Sequence, residues 1–183
     1  FVALSGGVDS AVTTALLVDQ GYDVTGVYMK NWSGDESGIQ TDCPWKKDQE
    51  DAESVCKKLN IPFRSFNFEK EYKEKVVEYF FDEYKLGRTP NPDVMCNKEI
   101  KFGIFLKKAK EMGADIIATG HYARVRFNND IQEFELFKGV DRNKDQSYFL
   151  CELSQDQLKQ TKFPIGEFTK PQIRQLAEKY QLP

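Results

Sequence analysis

The 183-residue sequence predicts an α/β fold: a doubly wound, mostly parallel sheet covered by helices on both faces, with an appended β-hairpin and the start of a second domain. Short β-branched runs at 2–5, 24–29, 63–68 and 116–119 alternate with helical periodicity at 10–20, 46–59, 70–86 and 98–112. Each connection is long enough to hold a helix, as parallel pairing requires. With 40% hydrophobic and 30% charged residues, the composition is that of a chain able to bury a core, and it excludes collagen-like and disordered classes.

Taken in order, strand Val2–Ser5 runs into Ser5-Gly6-Gly7-Val8-Asp9-Ser10 and then a helix. After the strand ending at Met29, residues 31–45 read as irregular. In the helix from Lys46, Ala52, Val55, Cys56 and Leu59 stand at i, i+3, i+4 and i+7, which makes Cys56 a core residue. The second irregular segment, 87–97, holds Pro90 and Pro92 and leads into a helix expected near Lys98. The fourth strand ends in Ala118-Thr119-Gly120-His121. Alternation of Val125 and Phe127, then Phe134 and Leu136, marks an antiparallel hairpin over 123–140. A last helix follows Thr169, its expected cap, with Pro171 in the first turn and Ile173, Leu176, Ala177 and Tyr180 on one face. The expected division is 1–140 for the α/β unit with its hairpin and 141–183 for the beginning of a second domain.

No apolar run approaches the roughly 18 residues of a membrane span, so the expectation is a soluble, cytoplasmic protein without a membrane partner. Cys43, Cys56, Cys96 and Cys151 lie far apart with no C-x-x-C pair, and His121 is the single histidine, which disfavours zinc and excludes a multi-histidine metal site. The net charge of −3 conceals an asymmetry. Residues 31–84 carry 8 basic and 13 acidic side chains, whereas 85–126 carry 9 and 4. The second stretch is either a basic face suited to a nucleic acid or an ordinary solvated surface.

Ligands of such sheets bind beyond the carboxyl ends of the strands. Two glycines after the first strand permit a sharp turn, and the helix that follows presents free N–H groups and a positive dipole end. This is an anion cradle, unless it is a tight turn with a Ser or Asp cap. It lacks the lysine of G-x-x-x-x-G-K-[ST] and is not G-x-G-x-x-G. Met29 at the end of the second strand packs against an adenine or simply fills the core. Gly120 suggests close backbone approach to a nucleotide. His121 is either a satisfied structural histidine or an acid or base. Cys96, read as lying near a helix N-terminus and a cation, is expected to have a lowered thiol pKa, opposed by Asp93, which is itself a candidate general base or acid. The alternative is a small buried cysteine beside a capping turn.

The S-G-G-V-D-S segment resembles the PP-loop of the ATP pyrophosphatases, which implies a Rossmann-like fold of the adenine nucleotide alpha hydrolase type. Together with N-P-D-V-M-C-N, A-T-G-H-Y-A-R and K-D-Q-S-Y-F-L, in that order, the chain resembles the bacterial tRNA-specific 2-thiouridylase family over essentially its whole length. The resemblance implies ATP bound by Ala3, Leu4, Ser5, Gly6, Gly7, Val8, Asp9, Ser10, Met29 and Gly120, with Asp9 helping to hold Mg2+. It implies Cys96 as nucleophile with Asp93 beside it. Asn91, Pro92, Asp93 and His121 would meet the target wobble uridine, and Lys144, Asp145 and Gln146 would contact tRNA. The implied acceptors are lysine, glutamate and glutamine tRNAs, and the implied sulfur source is a cysteine desulfurase or sulfur-relay protein. The family's persulfide-bearing second cysteine, a disulfide partner for Cys96 in one route of sulfur release, is expected beyond Leu182-Pro183, as are the rest of the second domain and a C-terminal β-barrel; Cys151 reads as packing. Competing expectations are another PP-loop adenylating ligase and a non-catalytic nucleotide- or RNA-binding module.

Overall fold

The computed structural model describes residues 1–33 and 45–183, so the expectations for Cys43 and most of the first irregular segment lie outside the described residues. The chain begins with β1 (Val2–Leu4) and passes through a turn into α1 (Val8–Asp19), then β2 (Gly26–Lys30), α2 (Trp45–Leu59) and β3 (Phe63–Asn67). Helix α3 runs through three consecutive segments, Glu69–Tyr72, a π-helical Lys73–Val77 and Glu78–Lys85; α4 does the same through Pro92–Met95, a π-helical Cys96–Phe105 and Leu106–Glu111. There follow β4 (Ile117–Ala118), the hairpin β5 (Ala123–Asn128) and β6 (Glu133–Lys138), α5 (Gln155–Lys159), β7 (Thr161–Lys162) and α6 (Lys170–Lys179).

The main sheet has the order β3-β2-β1-β4-β7, with every pairing parallel. Strand β1 is central and is buried at all three residues. One connection leaves it toward β2 and β3, and the chain then crosses to β4 on its other side. The crevice at a reversal of this kind opens at the carboxyl ends of β1 and β4. On one face Ala3, Val27, Phe66, Ile100, Phe105 and Ile117 form the largest apolar cluster. Helix α1 is buried from Ser10 to Leu17, as expected of a helix covered on several sides. Its polar interior residues are satisfied locally: Thr13 and Thr14 donate to the carbonyls of Asp9 and Ser10, each at 2.8 Å.

The expected hairpin forms a two-stranded sheet of its own, and Val125 and Leu136 pack it against the main core. Within 141–183, Thr161 and Lys162 pair with Ile117 and Ala118 as the fifth strand of the main sheet, while Ile173 of α6 packs on Val12 and Leu16 of α1. A two-residue strand carries no periodicity, which is why the sequence hid it. Two helix starts are corrected. Helix α1 starts at Val8, two residues early, because Gly7 takes the extended N-cap conformation. Helix α4 starts at Pro92, six residues early: the Asn91 side chain accepts from the Val94 N–H at 3.2 Å, and Pro92 stands in the first turn, where its missing N–H costs nothing.

Ile173 is fully buried between α6 and α1. Ile173→Ala is expected to cost about 2–5 kcal/mol and to move a single cooperative unfolding transition, followed by circular dichroism in urea, without splitting off a separate one.

Candidate functional site

Beyond the carboxyl ends of β1 and β4 lies a cavity of about 240 Å³. Its wall takes Ala3, Leu4, Ser5, Asp9 and Ser10 from the first strand and turn, Met29 from β2, Thr119, Gly120 and His121 from the end of β4, and Lys101 and Gln146 from farther along the chain. Its volume is below the roughly 300–1,000 Å³ of sites that enclose a whole ligand, so a drug-sized ligand would be enclosed only in part.

The turn is built by its own side chains. Ser10 Oγ accepts from the Ser5 N–H at 3.2 Å, donates to the Gly7 carbonyl at 2.9 Å and lies 3.3 Å from Ser5 Oγ. Gly6 adopts φ +79°, and a Cβ there would stand 2.7 Å from the Asp48 carbonyl oxygen of α2. Gly7 provides no side-chain cap. No Ser or Asp side chain caps α1, so its first-turn amides remain available to an anion. Gly120 lines the cavity and also packs tightly on α1. A Cβ on it would meet Ser10 N at 2.9 Å and the Asp9 carbonyl carbon at 3.0 Å, so the close backbone approach is to α1 itself. Val8 is half-buried against Ile165 and Ile173 and is absent from the cavity wall.

Asp9 is the residue expected at a metal. Its Oδ1 accepts from Tyr122 Oη at 2.8 Å and from the Lys170 ammonium at 2.6 Å. Burial, then the hydrogen bond to Asp9, pushes the Tyr122 phenol well up, so it stays a donor. Among the described residues no group of three or more His, Cys, Asp or Glu converges on a point. Asp9 is therefore a single carboxylate beside an anion cradle, and this donor set fits Mg2+ only in the manner of a nucleotide-borne ion, with phosphate and water oxygens completing the shell.

His121 is buried, with Nδ1 2.7 Å from Thr119 Oγ1 and its ring packed beside Phe102 and Phe163, which also touch each other. Burial first, and then the charge of Lys101, holds its pKa well below the ordinary histidine value. The imidazole is neutral at physiological pH, which favours the structural alternative over a protonated acid. Gln146 accepts from the Tyr122 N–H through Oε1 at 3.1 Å and donates its own N–H to the Tyr122 carbonyl at 3.1 Å, locking the segment after β4. Asp145 accepts from the Ser147 N–H at 3.1 Å, and Lys144 is exposed.

Cys96 stands one turn inside α4 and not at its N-terminus, and its thiol departs from expectation accordingly. Burial is the largest influence and raises its pKa; Lys101 opposes this and Asp93 adds to it. The free protein holds a protonated thiol. Cys96 is half-buried against the main core, and neither it nor the exposed Asn91 and Asp93 is part of the cavity wall. The residue linking the two places is Lys101, which sequence reasoning missed. In a π-helical segment the i→i+5 hydrogen bond brings residues five apart onto one side, so Cys96 and Lys101 share a face. Nothing in the residue types of 96–105 announced that widening. Asn97 is buried, its Nδ2 donates to the Asp93 carbonyl at 3.0 Å, and its Oδ1 has no partner among the described residues. Cys56, Cys96 and Cys151 are all free thiols.

Six of the nine cations in 85–126 carry a carboxylate partner: Lys85 with Asp82, Arg88 with Glu83, Lys98 with Glu152, Lys107 with Glu111, and Arg124 and Arg126 with Glu167. A larger hollow, of about 580 Å³, lies beside the hairpin, lined by Arg124, Lys138, Gly139, Val140, Arg142 and Asp145.

The family model for the tRNA methyl transferase HUP domain matches residues 1–183. The chain is 56% identical over 179 residues to the tRNA-specific 2-thiouridylase MnmA of Listeria monocytogenes, covering 97% of this chain and 47% of that protein. It is 52% identical over 183 residues to the protein of the same name from Christiangramia forsetii, covering 99% and 46%. The chain thus spans about half the length of the curated relatives it matches. Among solved structures it resembles a predicted subunit of tRNA methyltransferase from Methanocaldococcus jannaschii, with TM-score 0.56 and 18% identity over 97% of this chain and 74% of that one. It also resembles NMN synthetase from Francisella tularensis, with TM-score 0.55 and 16% identity over 100% and 61%. At those identities the likeness concerns the fold alone.

Two measurements check the electrostatics. Alkylation by iodoacetamide at neutral pH, read by peptide mass mapping, is expected to be fastest at exposed Cys151, slower at Cys96 and slowest at buried Cys56, whose thiol is pushed up to about 11. Lys101→Met should slow Cys96 further. Because His121 has a depressed folded-state pKa, the unfolded chain binds the extra proton, so its contribution is complete above about pH 6.5 and is lost as pH falls below that value. Urea unfolding should show a slope of up to about 1.4 kcal/mol per pH unit below 6.5 that is absent in His121→Gln.

Proposed function

The chain belongs to the tRNA methyl transferase HUP-domain family, and from that premise we propose that it is the nucleotide-binding part of an ATP-dependent enzyme that converts the wobble uridine of tRNA to 2-thiouridine. The observation that carries this reading is one arrangement at the carboxyl edge of the sheet. The uncapped Ser5–Ser10 turn and the helix bearing Cys96 are joined by Lys101, which lines the cavity and lies on the face of α4 that holds the thiol. The names of the relatives at 52–56% identity support thiolation over the methyl transfer in the family description, and so does the cradle, which suits a polyphosphate.

In this reading ATP is a substrate. Its phosphates meet the Ser5 and Ser10 hydroxyls and the first amides of α1, and its adenine packs near Met29 along the main chain of the strand ends. A Mg2+ held by Asp9 and the phosphates would supply countercharge to the departing pyrophosphate. The uracil C2 oxygen attacks the α-phosphorus and pyrophosphate leaves, which turns a stable carbonyl oxygen into the leaving group AMP. The terminal sulfur of a persulfide carried on a second cysteine, outside this chain, attacks C2 and AMP departs. The Cys96 thiolate then attacks the inner sulfur; the S–S bond breaks toward C2, leaving the thiocarbonyl on the base and a disulfide between the cysteines for an external thiol to reduce.

Since burial keeps Cys96 protonated in the free protein, its proton must leave before that attack, and Lys101 is the nearby cation that favours the thiolate. Asn91, Pro92 and Asp93 are the residues proposed to meet the everted base, and the exposure of Asn91 and Asp93 at the start of α4 supports this. The basic hollow of Arg124, Lys138 and Arg142 that includes Asp145 supports an RNA backbone partner, with Lys144 nearby in sequence. Lysine, glutamate and glutamine tRNAs are the proposed acceptors, and a cysteine desulfurase or sulfur-relay protein is the proposed donor.

The competing reading, a PP-loop ligase that adenylates without a thiol, uses the same cradle and has no need of Cys96. Cys96→Ser in the full-length protein separates the two. Pyrophosphate release is expected to stay within a few-fold of wild type while 2-thiouridine, measured by nucleoside mass spectrometry, falls at least about a hundredfold. Unchanged thiolation would overturn the assignment.

A further inference from the structure

A triphosphate cradle that lacks the Walker lysine still has to neutralise several negative charges, and the structure brings a lysine to it from the far end of the chain. The Lys170 ammonium lies 2.6 Å from Asp9 Oδ1, across a sequence separation of 161 residues, and its side chain is only 20% exposed. Its backbone is held in place. The Lys170 N–H donates to Asp141 Oδ2 at 2.8 Å, Thr169 and Gln172 form a capping box around it, and Ile173 anchors the helix against Val12 and Leu16 of α1. The ammonium, on four flexible carbons, is thereby delivered to the first turn of α1. Both donors to Asp9, Lys170 and Tyr122, fall on the same oxygen, Oδ1.

We propose that Lys170 is the phosphate-neutralising cation of this site: it pairs with Asp9 in the free protein and turns to the β- and γ-phosphate oxygens when a nucleotide binds, freeing the carboxylate for the accompanying cation. The pairing is an exchange of partners in which no ion is left uncompensated. Asp9 passes from an ammonium to a metal and Lys170 from a carboxylate to a phosphate, so the large cost of a bare buried charge is avoided at every stage. It also accounts for the integration of residues 161–179 into the α/β unit, since β7 and α6 are what carry Lys170 to the cradle. The inference rests on the nucleotide reading above, and the test separates the two.

Calorimetric titrations of the full-length protein with Mg·ATP, Mg·pyrophosphate and AMP are compared for wild type, Lys170→Met, Lys170→Gln and Lys170→Arg. The glutamine variant keeps a donor for Asp9 without the charge and serves if the methionine variant fails to fold. Lys170→Met or Lys170→Gln is expected to weaken Mg·ATP and Mg·pyrophosphate binding about ten- to hundredfold, with AMP within about twofold of wild type and Lys170→Arg recovering most of the loss. Unchanged pyrophosphate affinity in a folded variant overturns the proposal. So does an equal loss for AMP and pyrophosphate, which is what a purely structural role produces. Wild-type protein that binds none of the three removes the nucleotide reading itself, whatever the variants do.

Discussion

The site depends on one steric constraint, main chain pressed against main chain where β4 ends and α1 begins. Gly120 touches the backbone of Asp9 and Ser10 so closely that a methyl group would have to displace it. Gly6, turned to positive φ, sits in the same way under the Asp48 carbonyl of α2. These two approaches draw the ends of the central strands and the start of a buried helix into one small hollow. Because its walls are largely backbone and hydroxyl, recognition there runs through amides and a helix end, which suits the compact charge of phosphate.

Around that hollow the ionisable groups are held in quiet states. The Cys96 thiol and the Tyr122 phenol keep their protons, His121 is neutral, and Asp9 is compensated by Lys170. Burial is the first cause in all three shifts, so the fold pays for placing these groups by suppressing their charge. In the proposed reaction, a substrate that brings phosphate and a cation would change the balance at Asp9 and at Lys101 together, and reactivity at the thiol would become a property of the loaded site. The outer surface follows the same economy of charge: the cations from Lys85 to Arg126 are mostly engaged by nearby acids in exposed pairs worth at most about 1 kcal/mol each, which a polyanion can exchange at little cost.

Much of this was legible in the residues, and the limits are physical. Strands with β-branched runs and helices with long apolar periods announce themselves, because one repeating face suffices to identify them. The hairpin was visible by alternation, yet its separation from the main sheet was not, since alternation says which residues face inward and nothing about which edge they pair with. Asn91 and Pro92 form a helix-start signal, but the neighbouring prolines drew the boundary six residues too late, and the thiol's surroundings were misjudged with it. Lys101 and Lys170 escaped notice because nothing marks a lysine as functional until its neighbour is known.

The sequence by itself determined the parallel α/β architecture, the glycine turn after the first strand and the set of motif residues, because each is written in contiguous stretches a few residues long. Only the tertiary structure decided that Thr161 and Lys162 complete the sheet, that Cys96 is half-buried and protonated, and that a lysine from the last helix meets the aspartate of the first turn. Those outcomes arise from contacts between segments distant in the sequence, or from a helical widening that changes which side chains share a face, and such geometry exists only once the chain has packed.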